Sequence, residues 1–129
     1  MATIGAYFRK KSETYAGNSF LCVPRDLARD YHPNGVEMTY AQASRTVEDW
    51  KRKLSAAGYG HGHRAAVLLG NQPEMILLKL ALNALGISWV PVNPDYRPSE
   101  IAYLLTDSRA ELIFVAPPLA EQMAEGARL

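Results

Sequence analysis

The sequence has a single cysteine, Cys22, among its 129 residues. An internal disulfide is therefore excluded, and the three histidines, His32, His61 and His63, do not combine with Cys22 at the spacing of a zinc site. Cys22 also lacks the local pattern of a catalytic thiol, and no serine stands in a Gly-x-Ser-x-Gly elbow. Nucleophilic catalysis and structural zinc binding thus have no candidate residues.

An excess of one charge is also missing. Fourteen Lys and Arg against thirteen Asp and Glu leave a net charge of +1, whereas nucleic acid binding needs a basic footprint. The basic runs at 9–11 and 51–53 are interpreted as solvated faces. No apolar signal segment opens the chain, and the longest apolar stretch, 75–92, is interrupted by Lys79 and Gly86. We expect no nucleic acid partner, no membrane span and a cytoplasmic location.

What is present is the composition of a folded domain, with 48% hydrophobic and 21% charged residues. The clearest helix begins at Thr39, which forms a capping box with Gln42, and ends where Gly58 supplies a left-handed cap. Its apolar positions recur at steps of four and three and comprise Ala43, Val47, Trp50, Leu54 and Ala57. We therefore predict a helix that buries one side only.

Apolar runs alternate with helical patterns in the rest of the chain. We predict strands at 65–69, 87–92 and 112–116, helices at 71–85, 98–107 and 117–123, and a short strand pair at 20–23 and 36–39. The helix at 71–85 is apolar around nearly its whole circumference, so we expect it to be buried between layers. The strand, helix, strand order predicts right-handed parallel connections.

The fold class is accordingly α/β, with a parallel sheet and flanking helices. Parallel sheets are normally covered on both faces and at both edges. Three strands are few for this class. We therefore expect a single domain whose sheet is incomplete.

Two glycine patterns match nucleotide-binding motifs in their letters only. Residues 60–65 read Gly-x-Gly-x-x-Ala, but they follow a helix and precede a strand, the reverse of the dinucleotide fingerprint. Residues 5–12 read Gly-x-x-x-x-Lys-Lys-Ser, one glycine short of a P-loop and without a preceding strand. We interpret the first as a turn and reject the second.

The remaining polar residues favour structural roles. His61 and His63 share a turn without a third metal ligand at a diagnostic spacing. Asp95, Glu100 and Asp107 fall in a loop and a helix, where carboxylates ordinarily act as caps and solvated charges. The residues alone thus identify no catalytic, cofactor-binding or metal-binding position.

Three segments together resemble a known superfamily. Residues 37–74 contain a Thr-Tyr helix start, an amphipathic helix, a Gly-rich turn, a Val-rich strand and an Asn-x-Pro-Glu helix entry. Residues 82–115 include Gly-x-x-x-Val-Pro-Val-Asn-Pro and the helix and strand that follow, and residues 8–23 add a weaker match. This order is similar to the start of adenylate-forming enzymes, which include acyl-CoA synthetases, luciferases and the adenylation domains of peptide synthetases. One departure is Gly-His-Arg at 62–64, where the family usually has Gly-Asp-Arg or Gly-Asp-Lys, and it falls in a turn.

The resemblance implies a chemistry whose machinery lies elsewhere. Members join a carboxylic acid to ATP as an acyl-adenylate, release pyrophosphate and pass the acyl group to a thiol, usually that of CoA. ATP, Mg and CoA are thus the implied cofactors of the full-length enzyme. The phosphate-binding loop, the acidic groups for magnesium and ribose, and the C-terminal lysine all lie downstream in the family. Residues 1–129 are therefore expected to be the N-terminal portion of an AMP-binding domain, most like that of an acyl-CoA synthetase, truncated before the phosphate loop and inactive alone.

The resemblance assigns structural roles to the matched residues. Thr39 and Asn71 are expected as helix caps, Gly86 as a helix stop, and Pro91, Asn93 and Pro94 as a shaped strand exit. A substrate contact by Asn93 or Tyr96 is the alternative. Two other function classes stay open: an interaction module that docks a sheet edge and an apolar helix on a separate catalytic chain, and a small nucleotide binder. Self-association through an exposed sheet edge is a further expectation.

Overall fold

The computed structural model describes residues 2–129 of the chain. The elements are α1 (Ile4–Thr14), β1 (Ser19–Val23), β2 (Val36–Thr39), α2 (Tyr40–Ala56), β3 (Arg64–Leu68), α3 (Pro73–Leu85), β4 (Ser88–Pro91), α4 (Pro98–Ser108), β5 (Leu112–Val115), a 3-10 turn (Pro117–Leu119) and α5 (Ala120–Arg128). This order confirms the predicted α/β class. Within residues 2–129, no helix combines the length and the apolar character needed to cross a bilayer.

Two compact units alternate along the chain. The first comprises the chain up to Gly58 together with Gln72–Leu85, and the second comprises Tyr59–Asn71 and Gly86–Leu129. The first unit therefore holds helices α1 to α3 with strands β1 and β2. The second holds strands β3 to β5 with helices α4 and α5.

In the first unit, the entry to α2 follows the predicted capping box. Thr39 Oγ1 accepts a hydrogen bond from the Gln42 backbone N–H at 3.2 Å, and Gln42 Oε1 accepts one from the Thr39 N–H at 2.8 Å. Gly58 has a φ of 90°, which confirms the left-handed cap. Ala57, predicted on the buried stripe, is exposed because α2 ends at Ala56 and the chain turns away there.

The core of the first unit joins α1, α2 and α3, and α1 is a helix that the sequence patterns did not predict. Its buried members are Phe8, Ala43, Val47, Leu77 and Ala81. Gly5 lets α1 approach α3 closely, since a Cβ at this position would lie 2.6 Å from the Ala84 Cβ. The Gly5 N–H also donates to Asn83 Oδ1 at 2.9 Å.

Helix α3 differs from its prediction in two respects. It begins at Pro73, so the preceding cap position belongs to Gln72, and the predicted cap role of Asn71 is wrong. Ile76 is 42% exposed, so the helix is not buried around its whole circumference, because no described element covers that side. Its buried residues are Pro73, Leu77, Leu78, Ala81 and Leu82. Gly86, with a φ of 74°, follows its last residue as predicted.

The second unit is built on a parallel sheet of order β4-β3-β5, which confirms the predicted parallel strands. The central strand places Val67 opposite Pro91 of β4 and Phe114 of β5. Residues 65–68 are at most 1% exposed, as expected for a strand that is covered on both faces.

Helices α4 and α5 pack against Ala66 and Leu68 of the central strand. The buried members of this core are Ala66, Leu68, Val92, Ile101 and Met123. Gly126 lies where α5 crosses α4, and a Cβ there would stand 2.5 Å from Ile101 Cγ2. The last helix, predicted at 117–123, instead begins after the 3-10 turn, at Ala120, and runs to Arg128.

Candidate functional site

Ligands of open parallel sheets bind at the carboxyl ends of the strands, where the strand order reverses. In the second unit, the chain places β4 on one side of β3 and then β5 on the other, so the reversal lies between the ends of β3 and β5. Beyond the strands, the Ala116 N–H donates to Leu68 O at 3.1 Å, and the Val92 N–H donates to Val67 O at 3.0 Å. This carboxyl edge is the candidate site.

The loop after β4 lies at this edge and carries exposed polar side chains. Asn93 Oδ1 accepts a hydrogen bond from the Asp95 N–H at 2.9 Å, and the Tyr96 N–H donates to Asn93 O at 3.0 Å. The predicted shaped strand exit is therefore a turn that the Asn93 side chain closes. Tyr96 belongs to the same turn and is 37% exposed.

Gln122 of α5 holds the same loop, and sequence reasoning missed it. Its Nε2 donates to the carbonyl oxygens of Pro94 at 2.8 Å and Tyr96 at 2.6 Å. No local pattern marks Gln122, because its partners lie more than twenty residues earlier in the chain. One turn further along α5, Gly126 lies against Ile101 of α4.

One carboxylate near this edge, that of Glu100, caps the start of α4. Glu100 Oε2 accepts a hydrogen bond from the Arg97 N–H at 2.7 Å, which is the cap role predicted for Glu100. The Arg97 side chain is 84% exposed, and Asn93 and Asp95 are also exposed. The edge therefore presents an amide, a phenol, a carboxylate and a guanidinium that could contact a bound molecule, without a built acid-base pair.

At the amino ends of the strands, the two histidines of the turn, His61 and His63, contact different residues. His63 Nδ1 accepts a hydrogen bond from the Gly60 N–H at 3.0 Å, and His63 Nε2 lies 3.4 Å from Glu111 Oε2. His61 packs over Gly86, where a Cβ would stand 2.6 Å from the His61 Nδ1. Over the described residues, no group of three or more His, Cys, Asp or Glu side chains could hold a metal ion.

A second concave surface lies in the first unit, as an open groove of about 470 Å³ beside α1 and α2. Its charged lining residues are Arg9, Glu13, Arg45, Glu48, Asp49 and Arg52. Positive and negative groups are equal in number, and Arg52 pairs with Asp49 while Lys51 pairs with Glu48. A groove of balanced charge favours no charged ligand, so the carboxyl edge of the sheet is the stronger candidate.

The chain is similar to known enzymes over most of its length. Residues 18–128 match the model of the family described as AMP-binding enzyme. The chain is 35% identical over 92 residues to malpibaldin synthetase from Mortierella alpina, an alignment that covers 71% of this chain and 2% of the synthetase. It is 32% identical over 85 residues to long-chain-fatty-acid–CoA ligase FadD13 from Mycobacterium tuberculosis, covering 66% of this chain and 17% of the ligase.

The fold is also similar to that of solved structures. A benzoate CoA ligase from Burkholderia xenovorans LB400 superposes with a TM-score of 0.84 and 18% sequence identity. That superposition covers 99% of this chain and 24% of the ligase chain. The chain thus spans a small part of each protein that it resembles.

Proposed function

Since the chain belongs to the family of AMP-binding enzymes, we propose that it forms the N-terminal part of an AMP-forming acid–CoA ligase. Such an enzyme converts a carboxylic acid and ATP into an acyl-adenylate and pyrophosphate. The thiol of CoA then attacks the acyl carbon, which releases AMP and forms a thioester. The observation that carries the proposal is the family match over residues 18–128. The alignment with a fatty-acid–CoA ligase supports CoA as the acceptor, whereas the alignment with malpibaldin synthetase supports the alternative that is tested below.

We infer that ATP and magnesium bind outside the described residues. The Gly-rich turn at 60–65 precedes β3, so its amides do not stand at the start of a helix that follows a strand. Among residues 2–129, no cluster of carboxylates or histidines suits a metal ion. In the proposed enzyme, the residues of this chain therefore form the sheet and its edge loops and take no part in a catalytic step.

The first prediction is that the 129-residue chain alone does not form acyl-adenylates. We expect no exchange of labelled pyrophosphate into ATP above the level of heat-denatured chain, across a panel of aromatic and aliphatic acids. A complete AMP-forming ligase, assayed beside it, verifies that the panel and the conditions support exchange. Exchange that depends on both the folded chain and an acid would show that these residues hold a working site.

The ligase proposal itself is tested on the longer protein. Sequencing the source DNA past codon 129 should reveal an in-frame continuation with a Ser/Thr/Gly-rich phosphate loop. The purified product should then exchange pyrophosphate and acylate CoA. If it forms the adenylate but acylates only a carrier protein's phosphopantetheine thiol, the CoA proposal fails, and a role like that of the synthetase relatives replaces it.

A second candidate function is an interaction module, favoured by the sheet edges. Strands β4 and β5 each pair only with β3 in the described chain, so no strand covers their outer edges. Such a module would dock on a separate catalytic chain. An immediate stop after codon 129 would support this alternative. A monodisperse monomer with a cooperative melt and no affinity for the downstream part of a related ligase would count against it.

A further inference from the structure

The loop between β1 and β2 contains an Asn-Gly pair, Asn34 and Gly35, and Asn34 is exposed. In such pairs the backbone nitrogen of the glycine can attack the side-chain amide carbon of the asparagine, because glycine has no side chain to obstruct the approach. We propose that Asn34 is a site of spontaneous backbone modification, and that the contact between His32 and Glu74 controls its rate.

The reaction needs no partner other than water. The Gly35 nitrogen loses its proton and forms a bond to Asn34 Cγ, and the bond from Cγ to the side-chain nitrogen breaks. That nitrogen leaves as ammonia, which leaves a five-membered succinimide ring. Water then opens the ring at one of its two carbonyl carbons and yields aspartate or isoaspartate, so nothing is oxidised or reduced.

In the folded loop, the attacking nitrogen is restrained. The Gly35 N–H donates a hydrogen bond to His32 O at 2.8 Å. The same oxygen accepts from Arg29 Nη2 at 2.9 Å, and the Asp26 N–H donates to Pro33 O at 2.9 Å. Gly35 must lose its bond to His32 before its nitrogen can be deprotonated and can attack. The intact turn therefore protects Asn34.

His32 is the residue on which this turn depends. It has a φ of 42°, in the left-handed region that residues other than glycine rarely adopt. His32 Nε2 lies 2.7 Å from Oε1 of Glu74, which is in the first turn of α3. The two side chains are 33% and 52% exposed, so water can compete for the contact. Opening it frees His32 to return to an ordinary φ, which dismantles the turn that holds Gly35.

Conversion would also alter the strand pair that follows. Isoaspartate adds one methylene carbon to the backbone just before Gly35. Gly35 lies close to the preceding backbone, since a Cβ there would stand 2.7 Å from Val23 O and 3.0 Å from the Arg25 nitrogen, so a shift of Gly35 in that direction would meet this backbone. The adjacent pairing of Val23 with Val36 should therefore loosen.

The experiment follows Asn34 by peptide mass spectrometry while the 129-residue chain stands in mildly alkaline buffer. An isoaspartyl methyltransferase reports isoaspartate independently. Asn18, which is exposed and followed by serine, is the internal control and should convert more slowly, because the serine side chain hinders the attack. Glu74→Ala should accelerate conversion at Asn34 roughly fivefold, the change expected for the loss of one hydrogen bond. Glu121→Ala, at an exposed position of α5, should leave the rate unchanged.

His32→Asn removes the same contact but keeps a residue that tolerates a left-handed conformation, so it should accelerate conversion less than Glu74→Ala. Circular dichroism confirms that each variant is folded, and chain unfolded in urea gives the upper rate. Equal rates in the wild-type chain and both folded variants would overturn the control by His32 and Glu74. Absence of conversion at Asn34 even in urea would overturn the site itself.

Discussion

Gly126 shows how one hydrogen atom in place of a side chain determines helix packing. We predict that Gly126→Ala destabilises the chain by about 1–3 kcal/mol, since its Cβ would stand 2.5 Å from Ile101 Cγ2 and 3.2 Å from Pro98 O. Urea unfolding monitored by circular dichroism measures the change. Gly17→Ala is the matched control, because no atom lies within 4 Å of a Cβ at that position. Equal unfolding midpoints for the two variants would contradict the close crossing.

Thr39 supports a second prediction at the scale of one residue. Thr39→Ala should lower the free energy of unfolding by about 1 kcal/mol, because the Gln42 N–H loses its side-chain acceptor. Thr46→Ala changes the same residue type within α2, where the hydroxyl bonds only to the Gln42 carbonyl at 3.3 Å, and should be close to neutral. A loss of stability in Thr46→Ala as large as in Thr39→Ala would argue against a specific capping effect.

Single residues were predictable where their partners are close in sequence. The Thr39 and Gln42 pair lies within one helical turn, so its spacing identifies it. Asn71 was misassigned as a cap because Asn71 and Gln72 both precede Pro73. Only the backbone shows that the helix begins at Pro73, which leaves the cap position to Gln72. Gly126 acts on a residue of another helix, and no local pattern records that contact.

At the scale of elements, the loop after β4 depends on α5. We predict that Gln122→Ala accelerates hydrogen exchange of the Asp95 and Tyr96 amides, because the loop loses both bonds from Gln122 Nε2. The melting temperature should change little, since each such bond contributes about 1 kcal/mol or less when water can replace it. Glu121→Ala, the neighbouring exposed position, is the control. Unchanged exchange in Gln122→Ala would show that Asn93 alone keeps the turn closed.

The strands and the later helices were predictable, whereas α1 was not. Short apolar runs bounded by glycine or proline predicted β3, β4 and β5. The run in β3 is unbroken because this central strand needs apolar residues on both faces. Helix α1 buries only Gly5, Phe8 and Ser12, so it has too few apolar residues to produce a periodic signal. The sequence identified no site at the ends of these strands, because the strand order and the anchoring of the loop by Gln122 appear only in the folded chain.

At the scale of the whole molecule, the outer edge of β5 carries the largest consequence for solution behaviour. Ile113 on this strand is 44% exposed. We predict that the wild-type chain self-associates as its concentration rises, and that Ile113→Lys suppresses this, because a charge on an edge strand opposes pairing with another chain. Sedimentation velocity over a concentration series measures the effect.

Tyr103→Lys provides the control for that experiment, since Tyr103 is 71% exposed and lies on helix α4, not on a strand. It should leave self-association unchanged. If both lysine variants reduce association equally, the added charge and not the sheet edge is responsible. If the wild-type chain stays monomeric over the whole concentration series, the edge of β5 is not a contact surface between copies of the chain.

The alternation of the two units along the chain has a consequence for synthesis on the ribosome. Strand β3 emerges before α3, yet both of its neighbours, β4 and β5, are translated after α3. The first unit can complete its core once α3 has left the exit tunnel, because Leu77 and Ala81 are its last buried members. Slow translation between Leu85 and Leu112 would therefore hold an apolar β3 without its partners, and this interval is when the nascent chain most needs a chaperone.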